Sequence, residues 1–92
     1  IPKTFNIYAS PNPARGKVFI HYQLPKGAEV TTKIYSISGQ LIWEAKENKP
    51  AGLHITTWAG KDSKDNNIAS GVYFYCVESG SELKTDKIIF LR

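Results

Sequence analysis

The sequence predicts an all-β fold, an antiparallel sandwich of about seven strands, and two observations carry that reading. Short segments rich in β-branched and aromatic residues recur at even spacing, each closed off by Gly, Pro, Asn or Ser. No segment sustains the 3.6-residue apolar period of a helix, so little or no helix is expected. Strands are predicted near Phe5–Tyr8, Lys17–Leu24, Val30–Ser36, Leu41–Ala45, Leu53–Trp58, Val72–Glu78 and Leu83–Leu91. Between them lie Pro11-Asn12-Pro13, Pro25-Lys26-Gly27, Ser38-Gly39, Lys49-Pro50-Ala51-Gly52, the polar stretch from Gly60 to Asn67, and Ser79-Gly80-Ser81. Glycine permits positive φ in such turns, and proline fixes φ while removing a ladder donor.

Alternation assigns the faces. Val18, Ile20, Tyr22 and Leu24 fall on one side of their strand and are expected inward, with Phe19, His21 and Gln23 outward. Val30, Thr32 and Ile34 are expected inward because Lys33 lies in the opposite set. In Val72–Glu78 both sets are apolar, so alternation alone cannot choose; Tyr73, Tyr75 and Val77 are placed inward. In the last strand Ile88 and Phe90 point one way, Ile89 and Leu91 the other.

At 92 residues the chain has room for one core and not two. It contains no methionine and starts at Ile1, which reads as a piece of a larger protein, so residues 1–92 are expected to form a single excised domain. Hydrophobic residues at 41% and charged residues at 22% match a folded domain rather than a disordered tail. The net charge of +4 is spread from Lys3 to Arg92 instead of forming a basic face, so no nucleic-acid partner is expected. No apolar run approaches the length of a membrane span, so no membrane insertion is expected. The single cysteine, Cys76, can form no intrachain disulfide.

Nothing in the chain has the pattern of an active site. The two histidines, His21 and His54, sit on different strands and outside any metal-ligand spacing. Cys76 lies mid-strand, where a structural thiol is expected rather than a nucleophile. The loop from Asp62 to Asn67 offers oxygen ligands, but it lacks the alternation and bidentate Glu of an EF-hand and has Lys64 in its middle. Its Asp and Asn residues are expected to stabilise a turn, with no metal and no cofactor. Trp58, just before Gly60, is expected to plug the end of the core, and Trp43 to be partly exposed.

Five motifs now stand in order: Pro11-Asn12-Pro13, Ile34-Tyr35-Ser36-Ile37-Ser38-Gly39, Trp58-Ala59-Gly60-Lys61-Asp62, Ala69-Ser70-Gly71-Val72-Tyr73-Phe74 and Lys87-Ile88-Ile89-Phe90-Leu91. Together they resemble the type A C-terminal sorting domain of the type IX (Por) secretion system, over Ile7 to Arg92. The P-N-P, W-x-G-x-D and S-G-x-Y elements also resemble the Ig-like domain of the flagellar hook-capping protein, so the sandwich is expected to be Ig-like. Ala59 stands where the sorting family often has Asp, and Asn66 or Asn67 where Gly is common. Cys76 occupies an often charged position, which implies that its face of the strand is not deeply buried.

The resemblance implies a folded address label with no chemistry of its own. An attached N-terminal cargo would reach the periplasm by its own signal peptide. The type IX translocon and surface sorting peptidase at the outer membrane would read the label, leaving the cargo secreted or on the cell surface. The expected recognition residues are Gly71, Tyr73, Tyr75, Lys87, Ile88, Ile89, Phe90 and Leu91. Pro11, Asn12, Pro13, Gly39, Trp58, Gly60 and Asp62 are expected to build the scaffold, the prolines by stiffening the chain and Gly71 by allowing a sharp turn. The alternatives are a hook-cap-like Ig module or an accessory domain that binds carbohydrate or stabilises a secreted enzyme.

Overall fold

The computed structural model describes residues 4–92; Ile1, Pro2 and Lys3 lie outside the described residues. Eight strands occur in the order β1 (Asn6–Ser10), β2 (Ala14–Arg15), β3 (Val18–Leu24), β4 (Ala28–Ser36), β5 (Leu41–Lys49), β6 (Gly52–Trp58), β7 (Gly71–Ser79) and β8 (Glu82–Leu91), and the described residues contain no helix. They form a three-stranded sheet, β1-β3-β6, facing a five-stranded sheet, β2-β8-β7-β4-β5. The predicted sandwich is the observed one.

Alternation works as the sequence implies. Along β3 the burial pattern alternates without a break, with Val18, Ile20 and Leu24 fully buried and Phe19 38% exposed. Val30, Thr32 and Ile34 of β4 and Tyr73, Tyr75 and Val77 of β7 meet them across the sandwich interior. Trp58 closes one end, 1% exposed, with its ring edge-on to Tyr73 and tilted on Phe90. Its indole N–H, which would otherwise be a costly buried donor, donates to the Lys61 carbonyl at 2.8 Å.

The structure departs from the sequence reading at three places. Pro11-Asn12-Pro13 does not lead directly into β3: the chain first makes the short strand β2, which pairs parallel with β8 as Ala14↔Phe90 and Arg15↔Leu91. Two residues cannot display a period, so this strand leaves no trace in the alternation. β5 runs on past Ala45 through Lys46, Glu47, Asn48 and Lys49, because these pair with β4 from Ala28 to Thr31. As the last strand of its sheet it carries charged side chains at no cost and blocks lateral association. Cys76 is 5% exposed, contrary to the shallow position expected of it. It lies between Lys33 of β4 and Thr85 of β8 on the outer face, in the middle strand of the five-stranded sheet, where strands flank it on both sides.

Candidate functional site

The pairing of β7 with β8 decides which residues of the last two motifs can meet a partner. In register, Tyr73 lies opposite Ile88 and Gly71 opposite Phe90, while Val72 lies opposite Ile89 and Phe74 opposite Lys87. The first set faces the core: Ile88 and Phe90 are fully buried, Tyr75 is 1% exposed and Tyr73 is 9% exposed. Of the eight expected recognition residues, these four therefore support the surface from beneath and cannot contact a partner of the folded domain. The second set faces outward, with Val72 36% and Ile89 39% exposed, Lys87 exposed, and Phe74 and Leu91 half-buried. Tyr35 of β4, opposite Phe74, extends the patch.

Val72 and Phe74 were missed by the sequence reading, which put Gly71, Tyr73 and Tyr75 on the recognition surface. The signal that finds them is the inward assignment of Tyr73 and Tyr75 itself, since period two then sends Val72 and Phe74 outward. Gly71 also differs from its expected part. It is the first residue of β7, takes no positive φ, and a Cβ there would meet only the Tyr73 ring at 4.0 Å. The turn needs no glycine at this point.

One end of the sandwich gathers the scaffold motifs around the tail. Gly60 has φ of 70°, and a Cβ on it would come within 2.3 Å of Phe90 Cζ, so the tail requires glycine here. Arg92 folds back over Phe90, its guanidinium 5.3 Å from the ring centroid. Its Nε donates to the Ile68 carbonyl and its Nη2 to the Gly60 carbonyl, both at 2.7 Å, while its backbone N–H donates to Ser70 Oγ at 2.8 Å. Tyr73 Oη donates to the Ala69 carbonyl at 2.7 Å.

Asn12 sits at the outer edge of β8. Its Oδ1 accepts from the Ile89 backbone N–H at 3.0 Å, and its Nδ2 makes a longer contact with the Lys87 carbonyl at 3.5 Å. Both neighbouring prolines follow cis peptide bonds. Gly39, with φ of 90°, closes the β4–β5 hairpin by donating to the Ser36 carbonyl.

The loop after Trp58 is held by Asp62. Its carboxylate accepts from the backbone N–H groups of Lys64 and Asn66, each at 2.9 Å, and the Asn66 bond chiefly holds its pKa below the ordinary carboxylate value. These oxygens are engaged by the loop's own backbone, and among the described residues no group of three His, Cys, Asp or Glu side chains is placed to hold a metal ion.

A groove of about 260 Å³ crosses the outer face of the three-stranded sheet, between Tyr8, His21, Leu53 and Ile55. Two of its polar side chains are already engaged: Gln23 Nε2 donates to the Thr4 carbonyl, and His21 Nε2 is 2.9 Å from Ser10 Oγ. Tyr8 stacks on His21 with ring centroids 4.2 Å apart. His54 alternates to the other face of β6, beside Tyr22, so the two histidines do not form a pair. Burial pushes the Cys76 thiol pKa up, and a hydrogen bond from Thr85 only partly opposes it, so the thiol is not an activated nucleophile.

Residues 6–91 match the family described as the secretion system C-terminal sorting domain. No curated protein matches the chain in sequence. Several solved structures share its fold, PorU, PorZ and FlgD among them. Dimeric latent PorU from Porphyromonas gingivalis superposes with a TM-score of 0.79 at 18% identity, over 95% of this chain and 9% of that one. PorZ, a surface component of the type IX secretion system of the same organism, gives 0.67 at 24% identity, over 94% of this chain and 11% of that one. FlgD from P. aeruginosa gives 0.65 at 23% identity, over 79% of this chain and 58% of that one. The chain thus spans about a tenth of the length of the PorU and PorZ chains. At these identities the likeness is one of fold.

Proposed function

The chain belongs to the secretion system C-terminal sorting domain family, a type IX export signal, and from that premise we propose how the signal is presented. The domain is read in its folded state, through the outward patch of β7 and β8. The observation that carries this is the register that sets Val72 beside Ile89 and Phe74 beside Lys87, joining two distant motifs into one partly apolar surface with a cation at its margin. Contiguous exposed apolar area of this kind suits a protein partner, and a rim charge orients the approach.

In this reading residues 1–92 are one domain that ends a longer chain. An N-terminal cargo crosses the periplasm, the translocon and surface sorting peptidase of the outer membrane engage the label, and the cargo is released or anchored at the surface. The domain itself supplies no catalysis and needs no cofactor.

The test is export of a fluorescent cargo fused ahead of the domain in a bacterium with the type IX system. The wild-type fusion is expected outside the cell, and removal of Lys87–Arg92 is expected to abolish export. Because that deletion also removes Ile88 and Phe90 from the core, Ile89→Ser and Lys87→Ala are the informative variants. Each should leave the melting temperature within a few degrees of wild type, and the pair together should lower export at least tenfold. A wild-type fusion retained in the cell would overturn the sorting role; full export of the double variant would overturn the patch.

A further inference from the structure

The outer edge of β8 is closed by side chains where a neighbouring strand would be expected. Residues 87 and 89 direct their backbone groups away from β7. The Lys87 N–H is taken by the Asp86 carboxylate at 2.8 Å, the Ile89 N–H by Asn12 Oδ1 at 3.0 Å, and the Lys87 carbonyl faces Asn12 Nδ2 at 3.5 Å. The Asn12 carboxamide thus presents one acceptor and one donor, as a peptide group of an adjacent strand would. Immediately beyond it, β2 supplies a true but minimal strand, pairing parallel at Ala14↔Phe90 and Arg15↔Leu91.

The two edges of the five-stranded sheet are protected differently. β5, at the far edge of the same sheet, is guarded by charge through Glu44, Lys46, Glu47 and Lys49. The β8 edge is guarded by a plug reaching it from 75 to 77 residues away in sequence. Charge on an edge strand is permanent, whereas a plug can be withdrawn.

We propose that Pro11–Arg15 is a removable strap, and that its withdrawal opens Lys87–Leu91 to an extended strand supplied by the receiving machinery. The template for the incoming strand is β2 itself: it runs parallel to β8 and places a small apolar side chain where Ala14, fully buried, now sits. Backbone pairing supplies the affinity, and the Ala14 site restricts which strands fit. The outward patch of Val72, Phe74 and Ile89 would make the first contact, and the edge would secure it. This proposal rests on the sorting role above and specifies the partner's form as a β-strand.

The test locks the strap. Arg15 and Leu91 are Cα partners across the β2–β8 pair, so Arg15→Cys with Leu91→Cys, in a Cys76→Ser background, can cross-link strap to edge without reshaping the core. Cargo fusions carrying the wild-type domain, the pair, and Arg15→Cys alone are compared for export, and the purified domains for melting and amide exchange. The cross-linked domain should melt at or above the wild-type temperature yet be exported at least tenfold less, while Arg15→Cys alone, exposed and outside the proposed docking edge, stays within a few-fold of wild type. In the purified domain, Asn12→Ala should speed exchange of the Ile89 amide at least tenfold and leave the Tyr73 amide protected. Export of the cross-linked domain within twofold of wild type would overturn the strap, as would an Ile89 amide indifferent to Asn12→Ala. If the wild-type fusion itself stays inside, the sorting role fails and the strap with it; if wild type is exported and the cross-link makes no difference, only the strap falls.

Discussion

Trp58 and Gly60 show how much a single residue can fix. The Trp58 ring closes the core against Tyr73 and Phe90, and its N–H holds the Lys61 carbonyl, so one side chain joins the sandwich to the loop that follows. Truncation to alanine should cost about 3–5 kcal/mol, readable as a large fall in the denaturant midpoint. An unchanged midpoint would show that the ring is dispensable. Gly60 works by what it lacks: positive φ and the nearness of Phe90 both exclude a Cβ. Gly60→Ala should destabilise the domain by at least about 2 kcal/mol. Export should fall with it even though the tail sequence is untouched, which a linear tail signal would not allow. Cys76 carries the opposite lesson, since a position read as shallow is covered by its neighbours.

Among the elements, the Trp58–Ile68 connection is ordered by hydrogen bonding rather than by burial. Asp62 is its centre, accepting from the backbone of Lys64 and Asn66, with Ile68 N–H returning to the Gly60 carbonyl. These bonds favour the carboxylate, so the folded-state pKa lies below the unfolded one. The contribution is therefore present above the ordinary Asp value and is lost as pH falls through the depressed one. Asp62→Asn should cancel that part of the acid sensitivity in melts taken from pH 5 down to pH 2; an identical acid limb in the variant would refute the assignment. The same bonds leave few carboxylate lone pairs for a cation, so millimolar calcium is expected to leave the melting temperature unchanged, and a chelator-reversible rise of several degrees would contradict that. β2 is the element sequence reasoning could not see, because a two-residue strand is made by its partner and not by its own pattern.

For the molecule as a whole, stability rests on two faces of core side chains and is bounded on the alkaline side by a buried phenol. Tyr75 has its pKa pushed up to about 12, chiefly by burial and secondly by Asp86. The neutral ring is favoured in the folded state, so its contribution is intact below pH 10 and is lost as pH rises toward 12. Melts of wild type and Tyr75→Phe across pH 8 to pH 12 should converge or cross at the alkaline end, and parallel curves would rule this out. The sequence alone determined the class of fold, the inward sets of β3 and β4, the end-plug position of Trp58 and the family pattern, because period two and turn chemistry are local properties that a strand carries with it. Only the tertiary structure decided which half of each late motif is outward, that Asn12 closes the edge of β8, and that Arg92 stitches the tail to Gly60, Ile68 and Ser70. The physical reason is range. A strand apolar on both faces contains no preference between them until a second sheet covers one, and a carboxamide can replace a missing strand only after folding has brought together residues 77 positions apart.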